Sequence, residues 1–422
     1  MGSTLKKRFF SLLRRTELYT KTDMVYLVSQ SGWLLFSQGA AFISSFVLAL
    51  FFANYIEPAD YGLYKYIVSL ATLASLTSLT GLGVSLARAA SQNHAVDMLR
   101  LIKVRVLLAT IGSLGLLIVS IYYFLIENQF LASLCVIAAI WLPFYDTLSD
   151  YQFFLQGKKA FRTQTKLRII QRLILALAVI ITIFLTQNII IVTFIFFAAT
   201  AISHATALRY TLRQYPVSDD SQTPYKSIIS YAKRLSIQNI FFVGVTQLDK
   251  IVLFKILGPA QLATYYFALS IPQELAGLLG NVNSVVFPKL VDKHSQEFKI
   301  ALIKKIFFFT LILVVPVLGY ILIAPYLFAW FFPVYMNAVF ISQIFVGTIL
   351  FIPISLIWNH FYATDHKRAL WFGTFLGPAS LILSIILLAP SYGLVGAVFA
   401  TYVRSFVDLL SGLYFFLYKT NE

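Results

Sequence analysis

The chain has 422 residues, of which 59% are hydrophobic and only 12% charged, and its mean hydropathy is +0.80. That composition excludes an ordinary soluble domain, and apolar runs recurring along the whole length exclude a soluble domain with a single anchor. What remains is one polytopic, all-α integral membrane protein.

Residues 1–23 carry Lys6, Lys7, Arg8, Arg14, Arg15 and Lys21. On a helical projection Leu5, Phe9, Leu12, Leu13 and Thr16 share a face, the pattern of a short basic helix on an anionic membrane surface, or else of a solvated basic leader. The apolar run that follows is too long for a cleavable signal and lacks a small-residue cleavage pattern. Beyond it about 12 transmembrane helices are expected, at 25–54, 63–88, 102–126, 130–156, 163–186, 189–210, 230–257, 262–288, 302–324, 337–361, 368–389 and 393–418. Turn residues separate them, as at Glu57-Pro58-Ala59-Asp60, Glu127-Asn128, Gln187-Asn188, Gly258-Pro259 and Ala389-Pro390-Ser391.

The formal charge of +16 would suggest nucleic acid in a soluble protein, but its placement argues otherwise. Every second connection is basic: 88–105, 158–168, 209–234, 289–305 and 366–368. The alternate ones contain no Lys or Arg. With the leader and Lys419, 28 of 33 basic residues fall on one side. By the positive-inside rule that side is the cytoplasm, so both termini are expected there, in a cell membrane, with no nucleic-acid partner. Cys135 lies in an apolar run and forms no internal disulfide.

An internal repeat follows from a shift of 201 residues, which lays Pro58, Ala59 and Tyr64 on Pro259, Ala260 and Tyr265, and Arg88 on Lys289. A shift of 209 aligns Lys159-Ala160 with Arg368-Ala369. The expected organisation is therefore a basic segment 1–23, a lobe 24–212, a linker 213–229 and a lobe 230–422. These make two parallel six-helix lobes around a central cavity, a transporter architecture.

Polarity concentrates in the first two helices of each lobe. The first holds Gln30 and Gln38, and the second many Ser and Thr; the seventh holds Gln247, Asp249 and Lys250, and the eighth Gln273 and Glu274. Helices three, nine and eleven read as lipid-facing support. Close packing accounts for hydroxyl residues in lipid. It accounts less well for Glu274, roughly 18 Å into its helix, or for Asp249 and Lys250 inside the run LSIQNIFFVGVTQLDKIVLFKIL. Those two are either a mutually compensating pair or the lining of a polar path. Lying about 100° apart on the helix, they need not pair with each other, and Asp249 is free to meet a cation across the cavity.

The runs NYIEPADYGLYKY, GLGVSLARAAS and LDKIVLFKILGPAQLATYYFALS resemble the polysaccharide-exporter branch of the multidrug/oligosaccharidyl-lipid/polysaccharide (MOP) superfamily, over essentially the whole chain. The resemblance implies a flippase, not an enzyme. It would move an undecaprenyl-diphosphate-linked glycan such as an O-antigen unit by alternating access, beside a polysaccharide polymerase and glycosyltransferases. It also implies a cavity lined by helices one, two, seven and eight, with cations gripping the diphosphate. The matching positions are Arg88 and the Asp249-Lys250 pair. The first helix departs from related lipid II flippases, having only Gln30 and Gln38 where those place arginines.

Other candidates carry two readings each. Arg88 receives a phosphate or marks the interface. Lys65 and Lys255 hold the anion before release or snorkel outward. Arg404 and Asp408 are an i, i+4 pair or a coupling site, and Arg172 is a neutraliser of Asp408 or of a cavity carboxylate. Asp146 and Asp150 are expected to salt-bridge with Lys158 and Arg162. No cofactor is expected; H+ or Na+ coupling through Asp249 or Glu274 is compatible but not required. A multidrug or organic-cation antiporter of the same superfamily is the alternative, and it would need an acidic cavity with aromatic walls. An enzyme would need acid/base groups in an external domain, and the longest outer connection, 325–336, has none besides Tyr326 and Tyr335.

Overall fold

The computed structural model describes residues 24–92, 97–216, 225–286, 296–364 and 366–418. The basic leader 1–23, residues 217–224 of the linker, Lys289 and Lys419 lie outside them, as does the side chain of Gln30. The described chain is all helical. It comprises α1 (Met24–Tyr55), α2 (Pro58–Ser75), α3 (Leu82–Ser91), α4 (Met98–Leu125), α5 (Gln129–Tyr145), α6 (Tyr151–Gly157) and α7 (Phe161–Thr186). Then come α8 (Ile189–Gln214), α9 (Tyr225–Leu257), α10 (Pro259–Val286), α11 (Gln296–Phe331), α12 (Ala338–Val346), α13 (Ser355–Ala363) and α14 (Lys367–Tyr418).

The turn chemistry explains where these helices begin. Pro58 and Pro259 stand at first helical positions, where no N–H is required. Asp97, Asn128 and Asn188 cap α4, α5 and α8 by accepting from the backbone N–H of Arg100, Leu131 and Ile190. In α4 the exposed residues Leu107, Ile111, Leu114, Ile118 and Leu125 recur at helical spacing and form a lipid-facing stripe.

Among the described residues eight helices are long and apolar enough to cross a membrane, nine if α2 and α3 form one bent span. Twelve were expected, and the shortfall has physical causes. The polar residues of α10 dilute its hydropathy, the last two expected helices form one run, α14, interrupted at Gly393 with φ 58°, and α9 includes positions 241 and 242, whose side chains lie outside the described ones.

Most contacts join helices within 24–216 or within 225–418: α4 with α5, α1 with α7, α7 with α8, α9 with α14, α10 with α12. The two halves meet where α2 packs on α9 and α10, and α3 on α9. At that seam two glycines are required. A Cβ on Gly62 would run into the carbonyl of Pro259, and one on Gly81 into the backbone of Ala232 and Ser236.

Two helices of the N-terminal half are broken. Between α2 and α3 the axis bends by 54°, and Leu79 adopts the left-handed conformation, at a cost of about 1–3 kcal/mol for a non-glycine residue. Between α5 and α6 a short 3-10 turn spans Thr147–Asp150. One side chain ties both breaks together. Arg105 of α4, 3% exposed, donates Nε to the Ser78 carbonyl at 3.2 Å and forms ion pairs with Asp146 and Asp150. Irregular backbone at membrane depth survives only when its polar groups are satisfied by protein. The expected salt bridging of Asp146 and Asp150 is present, but the cation is Arg105 rather than Lys158 or Arg162. It comes from a helix expected to be lipid-facing support. Removing a buried bridging cation leaves carboxylates unpaired, so Arg105→Gln is expected to cost about 3–5 kcal/mol. The check is the melting temperature of the purified protein, and an unchanged value would contradict this role.

Candidate functional site at the seam between the halves

Asp249 and Lys250 in the middle of α9 are not exposed on the surface of the helix bundle. Asp249 is 8% exposed, and its Oδ1 lies 3.3 Å from the Lys250 Nζ and accepts from the Lys250 backbone N–H at 2.7 Å. The same ammonium donates to the carbonyl of Thr246. Of the two readings the sequence left open, the compensating pair is the arrangement present, and Asp249 is not left for a cation across the cavity alone. A lysine side chain is long enough to fold back along its own helix, so the 100° separation is no barrier.

Across the seam Lys65 of α2 sits among three tyrosines. Its Nζ lies 5.3 Å from the ring of Tyr61, 5.6 Å from that of Tyr64 and 5.0 Å from that of Tyr266 on α10. Each such contact with a desolvated ring is favourable by about 0.5–2 kcal/mol, which holds the ammonium in place without a carboxylate. Ser69 and Tyr266 share a hydrogen bond of 2.8 Å between the halves. Lys65 and Lys250 are within electrostatic reach of each other, as are Asp249, Tyr265, Tyr266 and Arg404. The result is a polar cluster on α2, α9 and α10 with two lysines and one carboxylate already paired. Such a cluster offers an anion more than it offers a cation.

Above this cluster, toward the α1–α2 and α9–α10 turns, aromatic rings close the seam. Tyr61 packs on Phe267 with centroids 4.8 Å apart, and Phe267 on Tyr335 at 4.1 Å and Phe332 at 5.2 Å. Phe46 of α1 meets Phe331 at 5.2 Å, and Asn54 donates to the Phe331 carbonyl at 3.3 Å. Tyr66 stacks on Phe254 at 3.8 Å. In lipid, such packing and a few interhelical hydrogen bonds, averaging about 0.6 kcal/mol each, are what hold helices together.

At the opposite end, where the basic connections lie, Gly81 N–H donates to Ser236 Oγ at 2.9 Å and Asn239 to Thr80 Oγ1 at 3.3 Å. Arg88 is exposed, with its guanidinium 4.9 Å from the centroid of Tyr231 on α9.

The other predicted residues divide. Glu274 and Gln247 are half-buried on α10 and α9, Gln38 is half-buried on α1, and Gln273 is exposed. Lys255 is exposed and leans over Tyr122 of α4 at 5.8 Å, away from the lysine cluster. Arg404 and Asp408 pair at 3.7 Å in the wall of a cavity of about 640 Å³ that Trp358, Trp371 and Asn239 also line. Arg172 does not reach Asp408. It lies in the other half, beside Asp146, in a pocket of about 240 Å³ with Arg168 and His204. Sequence reasoning missed Arg105, Arg168, His204 and the tyrosines around Lys65. The first two sit near helix ends where loop counting assigns them to topology, and the tyrosines read as ordinary apolar lining.

Solved structures share this fold. A lipid II flippase MurJ in an inward closed conformation superposes with a TM-score of 0.70 at 14% identity, covering 92% of this chain and 87% of that one. Two structures titled as a multidrug resistance MATE family transporter of the MOP superfamily also match. The inward-facing one gives a TM-score of 0.61 at 13% identity, covering 90% of this chain and 96% of that one. The outward-facing one gives 0.60 at 12% identity, covering 93% and 94%. No curated protein sequence matches. Residues 27–294, more than half of the chain, match the polysaccharide biosynthesis protein family, and the chain belongs to that family.

Proposed function

We propose that the protein is a flippase that carries a polyprenyl-diphosphate-linked oligosaccharide from the cytoplasmic to the outer leaflet for cell-surface polysaccharide synthesis. One observation carries the reading. The charges that a bilayer should exclude sit at the seam between the halves, where Lys65 of α2 is held among three tyrosines and Lys250 of α9 is paired with the buried Asp249. The diphosphate would occupy that cluster while the polyprenyl tail stays in lipid, sparing two phosphate charges the cost of hydrocarbon. The nine candidate spans become twelve when α14 is divided at Gly393 and the polar helices α9 and α10 are counted. In this reading they form two lobes, 24–212 and 230–422, that rock about the α2–α9–α10 seam, with the basic connections and both termini cytoplasmic. Glycosyltransferases would supply the substrate and a polymerase would consume it.

An inside-negative potential favours outward anion movement by about 2.3 kcal/mol per charge per 100 mV, so ion coupling is not demanded. A cation antiporter would need an unpaired carboxylate in the cluster beside Lys65, whereas Asp249 there is already paired with Lys250. The test is translocation of fluorescent undecaprenyl-diphosphate sugar in liposomes containing the purified protein. Dye in the inner leaflet is expected to become accessible to an impermeant reductant outside. Efflux of a cationic dye from the same vesicles, with the lipid immobile, would replace this reading with the antiporter.

A further inference from the structure

The pocket in the N-terminal half has a charge balance that no ion pair among the described residues explains. Arg168 and Arg172 stand one turn apart on α7, roughly 10 and 16 Å from its first residue, and both line a space of about 240 Å³. Like charges at this spacing repel, and the two guanidiniums are within electrostatic reach of each other. His204 of α8 adds a ring, its Nδ1 2.9 Å from the Tyr145 carbonyl and within electrostatic reach of Arg172. The lining carboxylate, Asp146, is already engaged by Arg105. Between the arginines Gln171 is fixed: its Nε2 donates to the Ser203 carbonyl at 3.0 Å and its Oε1 accepts from Tyr151 at 2.6 Å. The helix is thus anchored on one side while its cations project into a cavity.

Size and surroundings narrow the ligand. At about 240 Å³ the pocket is below the ~300–1,000 Å³ typical of drug-sized ligands and suits a compact polyanion. The larger cavity in the C-terminal half is different, because there Arg404 is paired with Asp408. The basic pocket also leads somewhere. Its wall residue Phe196 packs edge-on against Tyr64 with centroids 5.3 Å apart, and the Tyr64 ring is one of the three around Lys65.

We propose that this pocket is a second anion subsite, taking a phosphate or diphosphate group on Arg168 and Arg172 one aromatic ring away from the Lys65–Lys250 cluster. Its place as a station on the substrate's route rests on the flippase reading, whereas its chemistry does not. Two guanidiniums oriented on one helix face grip phosphate oxygens by charge-assisted hydrogen bonds, and the Tyr64–Phe196 contact separates the two stations.

The test uses the full chain in phosphatidylcholine nanodiscs, titrated with inorganic pyrophosphate in an Asp249→Asn/Lys250→Gln background that removes the Lys250 cation from the seam without stranding Asp249. Arg168→Gln and Arg172→Gln are each expected to weaken pyrophosphate binding about tenfold, and Arg172→Lys to retain most of it at an unchanged melting temperature. Undecaprenyl diphosphate is expected to displace the pyrophosphate. The proposal is overturned if the arginine parent binds no pyrophosphate, or if the double glutamine variant binds it as well as that parent. Displacement by phosphatidylglycerol but not by undecaprenyl diphosphate would make the pocket a membrane-phospholipid site and overturn its place on the route. Pyrophosphate binding intact in a protein that moves no lipid-linked sugar would sink the flippase reading and leave the subsite standing.

Discussion

Lys250→Glu is expected to abolish translocation of polyprenyl-diphosphate sugar in liposomes, Lys250→Gln to reduce it about ten- to a hundredfold, and Lys250→Arg to keep part of it. The range follows from a hydrogen bond to a charged group, about 1.5–3 kcal/mol, at about 1.4 kcal/mol per tenfold. The glutamate goes further because it adds a carboxylate beside Asp249, and the two would repel a diphosphate together. A purely structural role for the ion pair makes a different forecast. Because Lys250 Nζ lies 3.3 Å from Asp249 Oδ1, a single substitution strands a buried charge and harms the fold whatever the function. The neutral double variant Asp249→Asn/Lys250→Gln removes that ambiguity. If the pair only locks the helix, the double variant transports like the parent. If Lys250 receives the anion, transport stays low while the melting temperature recovers. Normal transport by Lys250→Glu would end the assignment of the substrate to this seam.

The second large effect is steric. Gly62→Leu is expected to bring translocation to background, because the added side chain occupies the place of the Pro259 carbonyl where α2 and α10 cross. The halves would then be unable to close at the end carrying the α1–α2 and α9–α10 turns. Accessibility reports this directly. Ser69, 1% exposed beneath that contact, is replaced by cysteine as a reporter; the native Cys135 is fully buried and contributes little background. An impermeant maleimide added to the outer face is expected to label the reporter much faster in the Gly62→Leu protein than in the parent. Equal labelling together with normal transport would mean that the seam does not open and close at Gly62.

The helical membrane fold was legible because the solvent imposes it: apolar runs of sufficient length with turn residues between them leave few alternatives. The charges inside α9 were legible for the same reason, since Asp249 and Lys250 stand out against their neighbours. Their pairing was one of two readings that the sequence could not choose between, because helical projection fixes only where a side chain starts, and a lysine with four methylenes can return to its own backbone at Thr246. Arg105 was hidden by its position. Counted with the loop that precedes α4, it passes for a topology signal, although Asp146 and Asp150 already called for a cation at that depth. Arg168 was concealed likewise, counted with the connection 158–168, whereas Arg172 was legible as a cation inside a helix but was assigned to the wrong neighbourhood. The break between α2 and α3 had a trace in Thr80-Gly81-Leu82-Gly83, but a 54° bend depends on Arg105 and Ser236 reaching the freed backbone, which no local pattern encodes.

The closure formed by Tyr61, Phe267, Phe332 and Tyr335 over the Gly62–Pro259 contact includes no ion pair among the described residues. Added salt has no ion pair in this closure to screen, so the packing that holds it together would be little affected by ionic strength.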